Sequence, residues 1–165
     1  MKWLSNLHAR MKGSYCILSH LPSDARIRVG ALGTTLFRKG VYAYVGSAQG
    51  GLEARLRRHL RSSKKKRWHI DYLLSKAEVF SVVTVPSDDK SVECQISQAL
   101  VACDGASAPV PGFGSSDCKC ASHLIYFGDV DPELAAEDVA RQVAMLKCIY
   151  PEKPSNSASG NRLRE

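Results

Sequence analysis

Residues 40–74, GVYAYVGSAQGGLEARLRRHLRSSKKKRWHIDYLL, set a tyrosine-rich strand directly before a helix crowded with arginines. Hydrolysis of a phosphodiester needs a base near the attacking water, a cation over the phosphate and usually a metal held by a carboxylate. A strand tyrosine, a helical arginine and a distant glutamate supply those three parts. Tyr42 and Tyr44 share one strand face by alternation, so only one of them is expected to reach a phosphate. A lone strand tyrosine is usually packing, and composition alone does not separate the two roles.

A second group of residues points to different chemistry. Cys118-Lys119-Cys120 with His123 offers two thiolates and an imidazole, three ligands of a tetrahedral zinc, and Cys94 or Cys103 is available as the fourth. The C-x-C-x2-H spacing is not a common zinc signature, so zinc is not expected. The expectation is that this loop packs against the fold, with Ser115, Ser116 and Asp117 holding its backbone through side-chain turns. Arg57, Arg58, Arg61, Lys64, Lys65, Lys66 and Arg67 form a charge run. Such runs are either solvated faces or phosphate contacts, and contacts of the second kind weaken steeply with salt. His69 and Asp71, in WHIDYLL, are too near each other in a helix to face one partner, and His69 is open to substrate contact or to a capping or structural role.

These groups need elements to carry them. SYCILSHL reads as a buried strand, and ARIRVGALG followed by TTLFRKG as a hairpin turning at Gly33. VYAYVG is the next strand. From Leu52 the period changes: Leu52, Leu56 and Leu60 fall at i, i+4 and i+8, with arginines on the other faces. A short helix fits 68–76, and EVFSVVTVP is a strand ended by Pro86. DDKSVECQISQALVAC is a helix, GASAPVPGFGSSDCKCASH an ordered loop, HLIYFGDV a last strand and DPELAAEDVARQVAMLKCIY a helix with an acidic first turn. The order predicts an α+β fold, a small central antiparallel sheet flanked by helices, with an inserted hairpin and a C-terminal helix. A leader at 1–11, a main domain over 12–128, the helix at 129–150 and a disordered tail at 151–165 complete the division.

The totals bound the partners. The 165 residues suit one domain, and a hydrophobic share of 44% permits a core. A net charge of +7 favours a polyanion, nucleic acid first and an anionic membrane surface second. No apolar run approaches the ~18 residues that span a bilayer, and the first residues lack the h-region of a secretory signal. The cytoplasm is the expected location, with the six cysteines reduced.

GSYCI (13–17) and YVG (44–46), followed by GLEARLRRHL (51–60), resemble the GIY-YIG nuclease superfamily. WHIDYLL, the Glu93-Cys94 pair and GFGSSDCKCASHL look like a small branch of it. The resemblance covers roughly residues 12–128 and implies a three-stranded antiparallel sheet flanked by helices, cutting DNA, ahead of RNA, with one Mg²⁺ or Mn²⁺. By the same resemblance Tyr44 acts as base or orients the water, Gly46 completes its motif, and Tyr15 shapes the site and contacts substrate. Arg55 steadies the scissile phosphate, a task suited to the guanidinium fork. His59, one turn along, shares that face, and Glu93 is the metal ligand because it is the one glutamate of the 91–103 helix.

The chain departs from the family pattern in three places. The first motif lacks its apolar middle residue, the inserted hairpin separates Tyr15 widely from Tyr44, and no asparagine follows the glutamate helix before Asn156. Asp117, in SSDC, is the candidate second polar group. Two readings result: a metal-dependent endonuclease, probing unusual nucleic-acid structures, and a non-catalytic nucleic-acid-binding module that kept the fold.

Overall fold

The computed structural model describes residues 11–149. The leader assigned to 1–11, apart from Met11, and the tail from 151 lie outside the described residues. Two nine-residue strands form the centre, β1 (Gly13–Leu21) and β4 (Gly40–Ala48), paired antiparallel over their whole lengths. Both are buried on both faces, which is why they read as runs of apolar and small residues. β2 (Ala25–Arg28) and β3 (Thr34–Phe37) form a separate two-stranded hairpin. A 3-10 turn at Gly30–Leu32 joins them and ends at Gly33, whose φ of 76° suits glycine.

β5 (Glu78–Pro86) lines the other edge of β1, and β6 (Leu124–Tyr126) pairs with β4. The sheet order β5-β1-β4-β6 is antiparallel throughout, so the fold is α+β, with one strand more than the resemblance implied. Pro86 sits at the end of an edge strand, where its missing donor breaks no ladder bond.

Alternation on β1 and β4 divides the core into two layers. Tyr15, Ile17, Tyr42 and Tyr44 face α1 (Leu52–Leu60), α2 (His69–Leu73), the hairpin and the loop that carries Phe113. Cys16, Leu18, Ala43 and Val45 face α3 (Ser91–Val101) and α4 (Pro132–Ile149), through Ile96, Leu100, Val139 and Val143. No helix among the described residues is long and apolar enough to cross a membrane.

The buried face of α1 differs from the expected one. Leu52, Leu56 and His59 are buried, while Leu60 is only half-buried. At 3.6 residues per turn, a residue seven positions on returns to within about 20° of the first, whereas one eight positions on is about 80° away. The helix therefore puts a histidine where a leucine had been expected.

Candidate active site

The two tyrosines of the sequence motifs rise from the same face of neighbouring strands. The register sets Tyr15 opposite Gly46 and Ile17 opposite Tyr44, which makes the phenols diagonal neighbours with ring centroids 6.3 Å apart. A Cβ on residue 46 would lie 2.5 Å from the Tyr15 hydroxyl oxygen, so Gly46 contributes the space that the phenol fills. Gly114, at a φ of +74°, likewise lets a loop approach Tyr44, since a Cβ there would come within 2.7 Å of the ring. Tyr42, on the same strand face, instead donates its hydroxyl to the Arg38 carbonyl at 2.6 Å and packs on Tyr126. Alternation thus delivered two tyrosines to one face, and only Tyr44 reaches the cleft.

Behind Tyr15 runs a buried polar chain. The Tyr15 hydroxyl lies 2.9 Å from His59 Nε2, and His59 Nδ1 lies 3.2 Å from Asp71 Oδ1. Asp71, with a fully buried side chain, also accepts from both terminal nitrogens of Arg58, at 3.2 and 2.9 Å. The backbone N–H groups of Arg67 and Trp68 donate to it at 2.9 and 3.1 Å, which caps α2. Burial alone would raise the Asp71 pKa, but these donors outweigh it and hold the carboxyl well below the usual range. An ionised Asp71 can only accept, so His59 donates from Nδ1 and receives the Tyr15 hydroxyl proton at Nε2. Burial brings the His59 pKa down to about 4, keeping the ring neutral.

Tyr15 and Tyr44 open onto a cleft of about 360 Å³, shared with Arg55, Arg67, Trp68 and Glu93. Burial raises both phenols above their ordinary range, against the pull of the nearby Arg55. Arg55 lies with its guanidinium carbon 4.5 Å from the centre of the Trp68 ring. It has no carboxylate partner among the described residues, whereas Arg57 is paired with Glu53 at 2.7 Å and Arg58 with Asp71 at 2.9 Å. α3 brings Glu93 to the same cleft from the far layer, and the loop after α3 adds Ser116 and Asp117, the polar group suggested by SSDC. No residue of the inserted hairpin lines the cleft.

The basic run divides into two sets. Arg57, Arg58 and Lys64 hold the protein together: Lys64 donates to the His59 carbonyl and lies 3.8 Å from Asp71. Arg61, Lys65, Lys66 and Arg67 are exposed, and Arg67 borders the cleft. Lys66 spans toward Tyr72 and Ser75. His69 receives the Gly114 N–H on Nδ1 at 3.0 Å, which ties α2 to the loop while the ring lines the cleft. Asp71, the anchor of the buried chain, and Trp68, the platform under Arg55, were not assigned to the site from sequence. The only signal was their place in WHIDYLL, since the 12-residue separation from His59 shows no periodic relation.

The metal expectation is corrected. Mg²⁺ or Mn²⁺ was expected as the chain's single ion, and zinc was not. The structure gathers Cys94, Cys118, Cys120 and His123 so that their ligand atoms all lie within 4.8 Å of one another, a Cys3His set suited to zinc. The fourth ligand is Cys94, whereas Cys103 donates to the Ala99 carbonyl at the end of α3. Burial first, and then the neighbouring Cys120 and Cys118, push the Cys94 thiol up to about 12. Cys16, Cys94, Cys103, Cys118 and Cys120 are free. Glu93 Oε1 comes 2.9 Å from His123 Nδ1, a close approach whose angle falls short of a hydrogen bond.

A family model described as "Domain of unknown function DUF123" matches residues 14–145, and the chain belongs to that family. No curated protein matches the chain, nor does any solved structure.

Proposed function

We propose that the chain is a metal-dependent endonuclease that hydrolyses phosphodiester bonds in nucleic acid, DNA ahead of RNA, in the manner of the GIY-YIG nucleases its motifs resemble. The observation that carries the reading is the convergence of Tyr15, Tyr44, Arg55 and Glu93 on one cleft from four separate elements. Packing alone has no need of an unpaired arginine and a glutamate beside two phenols. Arg67 borders the cleft, and with the exposed Arg61 and Lys65 of the same run it would hold the backbone of the bound strand.

The roles follow from the environment of each group. Tyr44, protonated because it is buried, orients the attacking water by hydrogen bonding. Tyr15, with its proton turned to His59, presents oxygen lone pairs toward the cleft. Arg55, already flattened on Trp68, offers its fork to the phosphate oxygens as charge develops. Glu93, with Asp117 on the same cleft, places carboxylate oxygens beside the two phenols.

The test incubates labelled single-stranded, duplex, flap and four-way-junction DNA, and RNA, with a panel of divalent cations or with EDTA. Cation-dependent cuts that fall at least about a hundredfold in Glu93→Gln and Arg55→Ala, with binding retained, support the reading. Undiminished cutting by Glu93→Gln would remove Glu93 from it. The second reading, a binding module without chemistry, is favoured by the burial of Tyr44, only 6% exposed. Salt-sensitive binding without cuts on every substrate would establish it.

A further inference from the structure

We propose that Cys94, Cys118, Cys120 and His123 bind one zinc ion, and that this site orients Glu93 in the cleft. The zinc site stands on its four ligands; only the use of Glu93 rests on the function proposed above.

Two of the ligand–ligand distances already match a tetrahedral site before any ion is added. With Zn–S of about 2.3 Å and Zn–N of about 2.0 Å, ligand atoms of a tetrahedral site lie about 3.6 Å apart. His123 Nε2 lies 3.4 Å from Cys118 Sγ and 3.9 Å from Cys94 Sγ. Three soft thiols and an imidazole select zinc over the hard cations that oxygen donors hold. Four protein ligands also close the coordination shell, which makes the site one of structure, with no open position for water. Binding replaces the three thiol protons and leaves the imidazole neutral.

The ligands come from two places that are otherwise joined by the Ser97 hydroxyl, which donates to the Ser122 carbonyl at 2.9 Å. Cys94 is on α3, while Cys118, Cys120 and His123 are on the loop, which is closed by Gly112 N–H to Ala121 O at 2.7 Å and His123 N–H to Phe113 O at 2.8 Å. That loop sets Gly114 against Tyr44 and brings Ser116 and Asp117 to the cleft. One ion therefore fastens the wall of the cleft to the helix that carries its carboxylate.

His123 supplies the link to Glu93. The residue is 1% exposed, and its Nδ1 has no aligned hydrogen-bond partner although Glu93 Oε1 is 2.9 Å away. Metal on Nε2 keeps the proton on Nδ1 and aims it at that carboxylate, the carboxylate–histidine–zinc arrangement of metal sites generally. The buried nitrogen then has its partner, and Glu93 keeps one oxygen turned inward to the histidine.

The experiment is elemental analysis of the full chain, purified under reducing conditions without chelator, with cobalt exchange as a second readout. One zinc per chain and thiolate-to-cobalt charge-transfer bands in the Co²⁺ form are expected. Cys118→Ser/Cys120→Ser is expected to lose the zinc, and Cys103→Ser to keep it. Glu93→Gln is expected to hold zinc about ten- to a hundredfold more weakly in chelator competition. Wild-type protein that carries no zinc and takes up none when Zn²⁺ is added overturns the site, whatever the serine variants do. Full zinc in the double serine variant also overturns it, and unchanged affinity in Glu93→Gln overturns the link to the cleft. None of these readouts uses cleavage, so a zinc-loaded chain that cuts nothing would refute the proposed function and not the zinc site.

Discussion

Tyr15 and His59 are 44 residues apart in sequence, yet the hydroxyl of one meets Nε2 of the other at 2.9 Å inside the core. The contact joins a strand to a helix and continues through His59 Nδ1 to the buried carboxylate of Asp71. It makes the position of the cleft phenol depend on a histidine that is neutral, and that dependence is open to titration.

Stability is expected to fall as the pH drops from 7 to 5. In the unfolded chain His59 takes a proton near 6.5, while in the folded protein burial holds its pKa at about 4. Between those values the unfolded state binds the extra proton, so acid favours unfolding. The loss amounts to about 2 kcal/mol over that interval. The groups facing the ring are Asp71, Arg58, Lys64 and the Tyr15 hydroxyl, and Asp71 stays ionised throughout the interval. Urea midpoints at pH 7 and 5 for wild type and His59→Gln measure it. A variant that loses as much as the wild type would show that another group is responsible.

Gly46→Ala should damage both stability and cleavage, because its methyl would meet Tyr15 Oη at 2.5 Å and Cζ at 2.6 Å. A rigid neighbour on the paired strand cannot yield cheaply, and overpacking of this kind costs about 1–3 kcal/mol. The effect has a signature: in a Tyr15→Ala background the same substitution should cost less, so the double mutant loses less than the sum of the two single changes. Strict additivity would mean that the glycine serves something other than the phenol.

Nucleic-acid affinity should respond unequally to the basic residues. Arg67→Ala, at the edge of the cleft, and Lys65→Ala, on the same exposed run, each remove an exposed charge and are expected to lower the slope of log affinity against log salt by about one. Arg57→Ala, whose guanidinium is already paired with Glu53, should change it less. Fluorescence anisotropy across a salt series reads all three. Equal slopes for Arg57→Ala and Arg67→Ala would return the run to the status of a solvated face.

Much of the frame was legible from residues alone. β1 and β4 show as short apolar runs, β5 stops at its proline, and α1 begins where the period changes at Leu52. The hairpin showed in the alternation of Ile27 and Val29 with arginines, although a 3-10 turn replaces a tight bend. Tyr44, Arg55 and Glu93 were assigned by resemblance, and the structure puts them on one cleft. What stayed hidden depends on contacts between elements. Asp71 reads as an ordinary first-turn acid until α2 is laid against α1, where it meets His59 and Arg58. Cys94 and Cys103 are equivalent as letters and part only when α3 turns one toward the loop. Zinc is not expected from sequence because C-x-C-x2-H is not a common zinc signature, and the set is completed by a cysteine on a helix 24 residues before Cys118.

Asp71→Asn should be the most damaging single change in the buried chain. The amide removes the charge that balances Arg58 and offers His59 an N–H where an acceptor is required. Breaking one partner of such a buried pair costs about 3 kcal/mol, whereas loss of the exposed Arg57–Glu53 pair through Arg57→Ala should cost less than about 1 kcal/mol. Urea denaturation compares the two. Nitrogen shifts of the His59 ring add a readout that general destabilisation would not move: wild type should show the proton on Nδ1, and Asp71→Asn should shift the tautomer toward Nε2. That shift would turn Nε2 from acceptor to donor, so the Tyr15 hydroxyl could no longer donate to it. A wild-type ring already protonated on Nε2 would contradict the direction assigned to the whole chain from Asp71 to Tyr15.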